Sequence, residues 1–281
     1  MQPLALSPSV SVTADGPLTI LAGPCQAEGY DLCMQVGSAL RDRCEQLGLP
    51  YVFKASFDKA NRTSATGERG PGLEAGLELL ARVKRELGVP LTTDVHLPEQ
   101  AAVAAEAGVD ILQVPAFLCR QTDLLEACAA TPAAVNVKKG QFLSPAEMGQ
   151  VVEKIVRARP DSPRVMVTDR GTFFGYHRLV NDFAGLGDLL DPETGTGVPV
   201  CFDATHSVQQ PGAAAGGTAT GGRRERAPLL ARCAVAAGVH ALFIETHPDP
   251  ATAASDAAVM LPLEETLALL PQLVKLHEAT R

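Results

Sequence analysis

The stretch LTILAGPCQAEGYDLCMQVGSALRDRCEQLGLPYVFKAS, residues 18–56, holds one complete structural period. It opens on a short apolar run, LTILAGP at 18–24, with the profile of a buried parallel strand. A polar, Gly-containing loop follows. Leu32, Val36, Leu40, Cys44 and Leu47 then recur every three or four residues, which is one face of an amphipathic helix. The period closes on YVFKAS at 51–56, a second run of strand character. Strand, helix and strand in this order make a βαβ unit, and such units build parallel sheets.

The same alternation continues outward from this stretch. Further apolar runs stand at LTTDV (91–95), ILQVPA (111–116), AVNVK (134–138), RVMVTD (164–169), VPVCFDA (198–204) and ALFIE (241–245). Helical spacing returns between and after them, in Leu73, Leu77, Leu80 and Leu87 with one gap, and in Leu263, Leu267, Leu270, Val274 and His277. Ser144-Pro145-Ala146-Glu147 reads as a capping box with Pro at the first helical position. Eight strand–helix units predict a single (β/α)8 TIM barrel over residues 1–281 rather than an open sheet. The Val10/Val12 alternation before the first strand predicts a short N-terminal β-hairpin.

Bulk properties bound the function. A chain of 281 residues buries enough surface to fold without staples. Its hydrophobic content of 46% excludes disorder, and no run approaches the ~20 apolar residues of a membrane span. Residues 1–16 show neither a basic n-region nor an apolar h-region, so no secretory signal is expected. Seven cysteines without a framework point to a reducing compartment, and hence to the cytoplasm. A formal charge of −8 and the lack of any basic tract argue against a nucleic-acid partner. Anionic small molecules stay open, because a local cluster of cations overrules the global sign.

Such a cluster is legible at the strand ends. Side chains two apart on a strand share a face. Lys54 and Ser56 therefore share one, as do Asn136 and Lys138, and Thr168 and Arg170; His206 follows Phe202 and Ala204, and Glu245 follows Phe243. Asp94 ends the third run and Gln113 lies inside the fourth. If these faces look inward, the C-terminal mouth collects Lys54, Lys138 and Arg170 with Asp94, Glu245 and His206. A single Lys at a strand end simply snorkels to water. Three cations ending three strands, at the face where barrels place their chemistry, point to a substrate with more than one anionic group.

Cys25 ends the first strand unit, His206 the seventh and Glu245 the eighth, with Asp256 in the loop beyond. Barrel closure makes those strands neighbours, and a thiol, an imidazole and two carboxylates suit Zn, Fe, Mn or Co. On spacing alone the plainer reading also stands, with Cys25 a small buried hydrophobe and His206 a hydrogen-bonded core residue.

Several segments, in order, resemble the 3-deoxy-D-manno-octulosonate 8-phosphate synthases: GPC at 23–25, YVFKASFDKANR at 51–62, TTDVH at 92–96, PAFLCRQTDLL at 115–125, NVKKGQF at 136–142, DRGTFFGY at 169–176, DATHSVQ at 203–209 and ETHPDP at 245–250. The similarity runs from about residue 18 to 275. It implies an aldol-type condensation of phosphoenolpyruvate with arabinose 5-phosphate and water, releasing inorganic phosphate. Carried over by residue, it implies a phosphoenolpyruvate pocket of Lys54, Ser56, Lys59, Gln113, Lys138, Arg170 and His206. It puts Asn61, Arg62, Thr63 and Ser64 on the aldose phosphate, reached from a neighbouring subunit of a homotetramer, with Asp94 and Phe117 between the substrates. Lys54, Asp94, Lys138 and His206 are the catalytic candidates. Family members of the metal-dependent class carry Cys where the others carry Asn. Cys25 thus implies one divalent ion on Cys25, His206, Glu245 and Asp256. A role in supplying a sugar for lipopolysaccharide or a plant wall is implied by the resemblance alone.

The chain also departs from the pattern. Residues 63–70 read TSATGERG, which alters the aldose-phosphate end. The Gly/Ala-rich segment 211–225 reads as a lid over the mouth or as a solvated linker, and 187–197 as a surface elaboration. Two other activities compete. A 3-deoxy-D-arabino-heptulosonate 7-phosphate synthase would use erythrose 4-phosphate, but its usual Lys-Pro-Arg-Thr is Lys59-Ala60-Asn61-Arg62 here. A non-catalytic sugar-phosphate sensor would keep the fold and lose the chemistry.

Overall fold

The computed structural model describes residues 3–60, 69–213 and 220–281. Asn61, Arg62, Thr63, Ser64 and positions 65–68 of the altered stretch lie outside the described residues, as do positions 214–219 of the expected lid segment.

Eight parallel strands form the barrel: β1 (Thr19–Gly23), β2 (Tyr51–Lys54), β3 (Leu91–Asp94), β4 (Ile111–Val114), β5 (Ala134–Lys138), β6 (Val165–Asp169), β7 (Val200–Asp203) and β8 (Ala241–His247). Each pairs with the next, and β8 pairs with both β7 and β1, which closes the ring. The helices between and after them are α1 (Tyr30–Gln46), α2 (Leu73–Leu87), α3 (Pro98–Glu106), α4 (Thr122–Ala129), α5 (Glu147–Ala158), α6 (Phe183–Leu190), α7 (Ala227–Ala236) and α8 (Leu263–Ala279). The predicted (β/α)8 order is the observed one.

The helices sit where their apolar stripes send them. In α2 the stripe is Leu77, Leu80, Val83 and Leu87, so Val83 fills the gap that leucine spacing left. Gly88 ends that helix in the left-handed region at φ 68°, as Gly alone does without penalty. In α1 the buried stripe is Cys33, Val36, Leu40 and Cys44, one position away from the expected Leu32. Ser144 does not cap α5 from its first turn. Its N–H and hydroxyl instead donate to Glu147 Oε2 at 2.7 and 3.0 Å, tying the loop that enters the helix.

Strand residues split between two apolar layers. Ile20, Phe53, Leu112, Val135, Val167 and Leu242 face the helices, whereas Leu21, Val52, Ile111, Ala134, Met166 and Ala241 fill the barrel. Strand β7 departs from the expected facing. Phe202 and Ala204 belong to the outer layer, with Phe202 stacked on Phe183 at 5.8 Å, and Cys201 belongs to the inner one. Alternation therefore turns Asp203 inward, and His206 reaches the mouth through the 3₁₀ turn His206–Val208 rather than by continuing the strand.

The predicted hairpin is present. Leu4–Ala5 pairs antiparallel with Ser11–Val12, and Arg164 clamps it by donating twice to Ala5 O, at 3.0 and 2.7 Å. Leu4, Leu6, Val10 and Val12 are buried in the barrel's inner layer, so the hairpin plugs the end opposite the mouth. Leu6 is wholly buried. Leu6→Ala should lower stability by about 2–5 kcal/mol in urea denaturation, as core truncations do; a loss within error would mean that the plug is not part of the core.

Candidate functional site

Strand β1 approaches β2 so closely that a Cβ on Gly23 would lie 2.0 Å from Lys54 O. Only glycine fits there. Beyond it, the chain delivers Cys25 to the mouth beside Glu245 of β8, whose register partner in β1 is Gly23 itself. Asp256 arrives from the loop after β8 with φ 51°, a left-handed conformation that Asp tolerates better than most residues.

These groups converge. Cys25 Sγ is 3.1 Å from Asp256 Oδ2, and the ligand atoms of Cys25, Glu245 and Asp256 all lie within 4.8 Å of one another. His206 Nε2 lies 3.4 Å from Glu245 Oε2 and 3.6 Å from Asp256 Oδ2. Glu245 Oε2 is buried and has no hydrogen-bond partner among the described residues. A thiol, an imidazole and two carboxylates with an orphaned oxygen among them fit a borderline divalent cation. Burial pushes the Cys25 thiol well above its usual range, and Asp256 and Glu245 push it further. Burial alone would lower His206, yet Asp203 and Glu245 outweigh it and raise the imidazole to about 9. The negative charge that raises His206 and adds to the effect of burial on Cys25 is what a cation would neutralise.

Lys54 serves this cluster. Its ammonium donates to Glu245 Oε1 and, at 3.1 Å, to the carbonyl of Cys25, so it is tethered on the Cys25 side of the mouth.

The other cations line the cavity of about 580 Å³ that opens over the strand ends. Lys138 ion-pairs with Asp203 at 2.5 Å and stands 3.2 Å over the Phe243 ring. Burial lowers its pKa, with Asp203 pulling the other way. Lys59 donates to Ser56 Oγ at 2.9 Å. Arg170 is 7% exposed and donates through Nη2 to Gln209 at 2.5 Å, while its Nη1 is buried without a partner among the described residues. Asp94 accepts from Ser56 and from Gln113 Nε2, the latter at 2.6 Å. Burial would raise this carboxyl, but Lys54 and Lys59 overcome that and hold it below the usual range. Phe117 is half exposed at the rim.

The structure thus brings together every described candidate. The sequence reading missed Asp203. Wholly buried, it accepts Lys138 Nζ, His206 Nδ1 at 2.7 Å, and the backbone N–H of Thr205 and of His206. By taking the Nδ1 side it turns Nε2 toward the carboxylates, the orienting job of an outer partner to a metal-binding histidine. Counting in twos from Cys201, rather than back from His206, would have found it. His96, Asp58, Gln141 and Gln209 also line the cavity.

The model of the DAHP synthetase I family matches residues 3–281. The chain belongs to that family. A 2-dehydro-3-deoxyphosphooctonate aldolase of Rhodopseudomonas palustris (strain TIE-1) is 53% identical over 278 residues, covering 96% of this chain and 94% of the relative. That of Nitrobacter winogradskyi is also 53% identical, over 97% and 94% of the two chains. That of Aromatoleum aromaticum is 50% identical over 92% and 90%. This member of the family stakes its mouth on Asp203. Asp203→Ala leaves Lys138 buried without its carboxylate, and should cost about 3–5 kcal/mol in chemical denaturation. A cost under 1 kcal/mol, as for an exposed pair, would refute that dependence.

Proposed function

We propose that the protein condenses phosphoenolpyruvate with D-arabinose 5-phosphate and water to 3-deoxy-D-manno-octulosonate 8-phosphate and inorganic phosphate. 2-Dehydro-3-deoxyphosphooctonate, the compound in the relatives' names, is the same eight-carbon acid phosphate under another name. The observation that carries the reading is Arg170. A buried guanidinium with an orphaned N–H and no carboxylate within 4.0 Å among the described residues is costly unless an anion completes it. Lys59 and Lys138 line the same cavity, which suits a small substrate carrying a carboxylate and a phosphate.

In this reading Arg170, Lys59 and Lys138 fix phosphoenolpyruvate for attack. Its C3 bonds to the aldehyde carbon, whose π electrons become an alkoxide that takes a proton. C2 acquires oxocarbenium character, water adds there and loses a proton, and the hemiketal phosphate breaks its C–O bond to leave ketone and phosphate. Lys138, whose ammonium burial makes the readier donor while Asp203 steadies it, would give the alkoxide its proton, and Lys54 would hold Glu245 and the carbonyl of Cys25 in place. Asp94, acceptor on all sides, positions a substrate hydroxyl or the water. Cys25, His206, Glu245 and Asp256 would hold one divalent ion (Mn, Fe, Zn or Co), which when bound supplies Lewis acidity or a fixed place for water.

Residues 1–281 act as one catalytic domain in this proposal, assembled as a homotetramer in which Asn61, Arg62, Thr63 and Ser64 meet the aldose phosphate. All seven cysteines are free thiols, which supports a cytoplasmic setting, and no helix among the described residues is long and apolar enough to cross a membrane.

Phosphate release from phosphoenolpyruvate and arabinose 5-phosphate, on chelator-treated protein with and without Mn²⁺, tests the proposal. Strong, metal-dependent release is expected. Equal release without metal would remove the metal from the reaction. Release only with erythrose 4-phosphate would transfer the chain to the seven-carbon activity for which its family is named. Cys25→Asn should lose bound Mn²⁺ on dialysis that the unmodified protein retains, measured by elemental analysis; equal retention would take Cys25 out of the ligand set.

A further inference from the structure

Beneath the mouth a single file of hydrogen bonds crosses five consecutive strand units. Thr168 Oγ1 of β6 donates to Asn136 Oδ1 of β5 at 2.7 Å, and Asn136 Nδ2 donates to Gln113 Oε1 of β4 at 3.0 Å. Gln113 Nε2 then donates to Asp94 Oδ1 of β3 at 2.6 Å. From the other side Ser56, just past β2, donates to Asp94 Oδ2, and Lys59 Nζ donates to Ser56 Oγ at 2.9 Å. Thr168, Asn136 and Ser56 are wholly buried and Gln113 nearly so.

The file has one possible sense. A carboxylate only accepts, so Gln113 must turn its NH₂ to Asp94 and its oxygen to Asn136. Asn136 must then give its NH₂ to Gln113, which leaves its own oxygen facing Thr168, where a hydroxyl can donate. Each amide has one good orientation because its neighbour has one. Reversing either would set oxygen against oxygen, with a buried polar group unsatisfied. Neither Asn136 nor Thr168 lines the cavity, whereas Gln113 and Asp94 do.

From this geometry we infer that Thr168 and Asn136 are positioning residues. They complete the file that keeps the Gln113 NH₂ on Asp94, so that this carboxylate, an acceptor by nature, is held in place at the cavity and no Gln113 oxygen competes with it. A substrate hydroxyl or a water meeting Asp94 must then be the donor. A pocket with a freely turning Gln113 would present carbonyl and NH₂ in mixture and blunt that selection. The inference concerns the cavity proposed above for phosphoenolpyruvate and arabinose 5-phosphate, and its catalytic readout rests on that reading.

The test pairs Thr168→Val, which keeps shape and removes the donor, with Thr168→Ser, which keeps the donor and removes a methyl group. Side-chain amide NMR on protein labelled with ¹⁵N at Asn and Gln reads the file directly, whatever the substrate. Slow hydrogen exchange at the Gln113 NH₂ is expected in the unmodified protein and in Thr168→Ser, and faster exchange in Thr168→Val. With phosphoenolpyruvate and arabinose 5-phosphate, Thr168→Val should lose about tenfold to a hundredfold in kcat with KM for phosphoenolpyruvate little changed. Thr168→Ser should restore kcat even if its melting temperature is the lower of the two. A purely packing role for Thr168 predicts the reverse order, with Ser the worse variant, and that result would overturn the inference, as would equal amide protection in all three proteins. If the NMR pattern holds while the unmodified protein turns over neither substrate, the file stands and the assigned reaction falls.

Discussion

Lys54, Lys59, Lys138 and Arg170 share a largely buried mouth with Asp94, Asp203, Glu245 and Asp256, and neither set is tolerable there without the other. Taking one such ion out of water costs several kcal/mol, which only a close counter-charge with further hydrogen bonds repays. Lys138 has Asp203 and Lys54 has Glu245, so those two cations are settled by the protein itself. Arg170 is not: its amide partner Gln209 carries no charge, and Nη1 has no partner among the described residues. At the ends of β1 and β8 and in the loop beyond, acidic groups gather instead, in Cys25, Glu245 and Asp256. This charge pattern is what supports the anionic substrate and the metal ion proposed above.

The barrel holds this arrangement because its strands cannot adjust independently. Closure through β7, β8 and β1 brings Cys25 within reach of a carboxylate 231 residues later in the chain. Below the mouth, the hairpin's Leu4, Leu6, Val10 and Val12 complete the packing of the interior, so the polar file from Thr168 to Asp94 rests on an apolar floor. In such surroundings a hydrogen bond that cannot be replaced by water has directional force. Rigidity of the site is thus a property of the layer beneath it.

Strand β7 shows how local pattern and tertiary placement diverge. Reading back from His206 in twos assigns Phe202 and Ala204 to the interior, and the structure puts them outside. The strand ends at Asp203, and the turn that follows changes the periodicity before His206 is reached. Period-two reasoning is valid only within a strand, and the sequence marks that end weakly, since Ala204 and Thr205 break nothing. Thr168 was legible as sharing Arg170's face, and Asn136 as sharing that of Lys138. That the two meet each other and Gln113 depended on strand register, which a single sequence does not state.

By itself the sequence determined the barrel, because eight apolar runs separated by helical stripes have few other ways to bury themselves. It also determined the composition of the mouth, because a polar residue ending a buried strand has nowhere else to go, and for this reason Lys54, Asp94, Gln113, Lys138, Arg170 and Glu245 could be named in advance. Only the tertiary structure decided the partnerships: that Lys54 answers Glu245, that Lys138 and His206 share Asp203, and that Arg170 is left without an ion-pair partner among the described residues. Which side chains lie near a mouth follows from period and strand end, quantities written locally. Which of them touch follows from shear, register and turn geometry around a closed ring, and those are set by all eight strands at once.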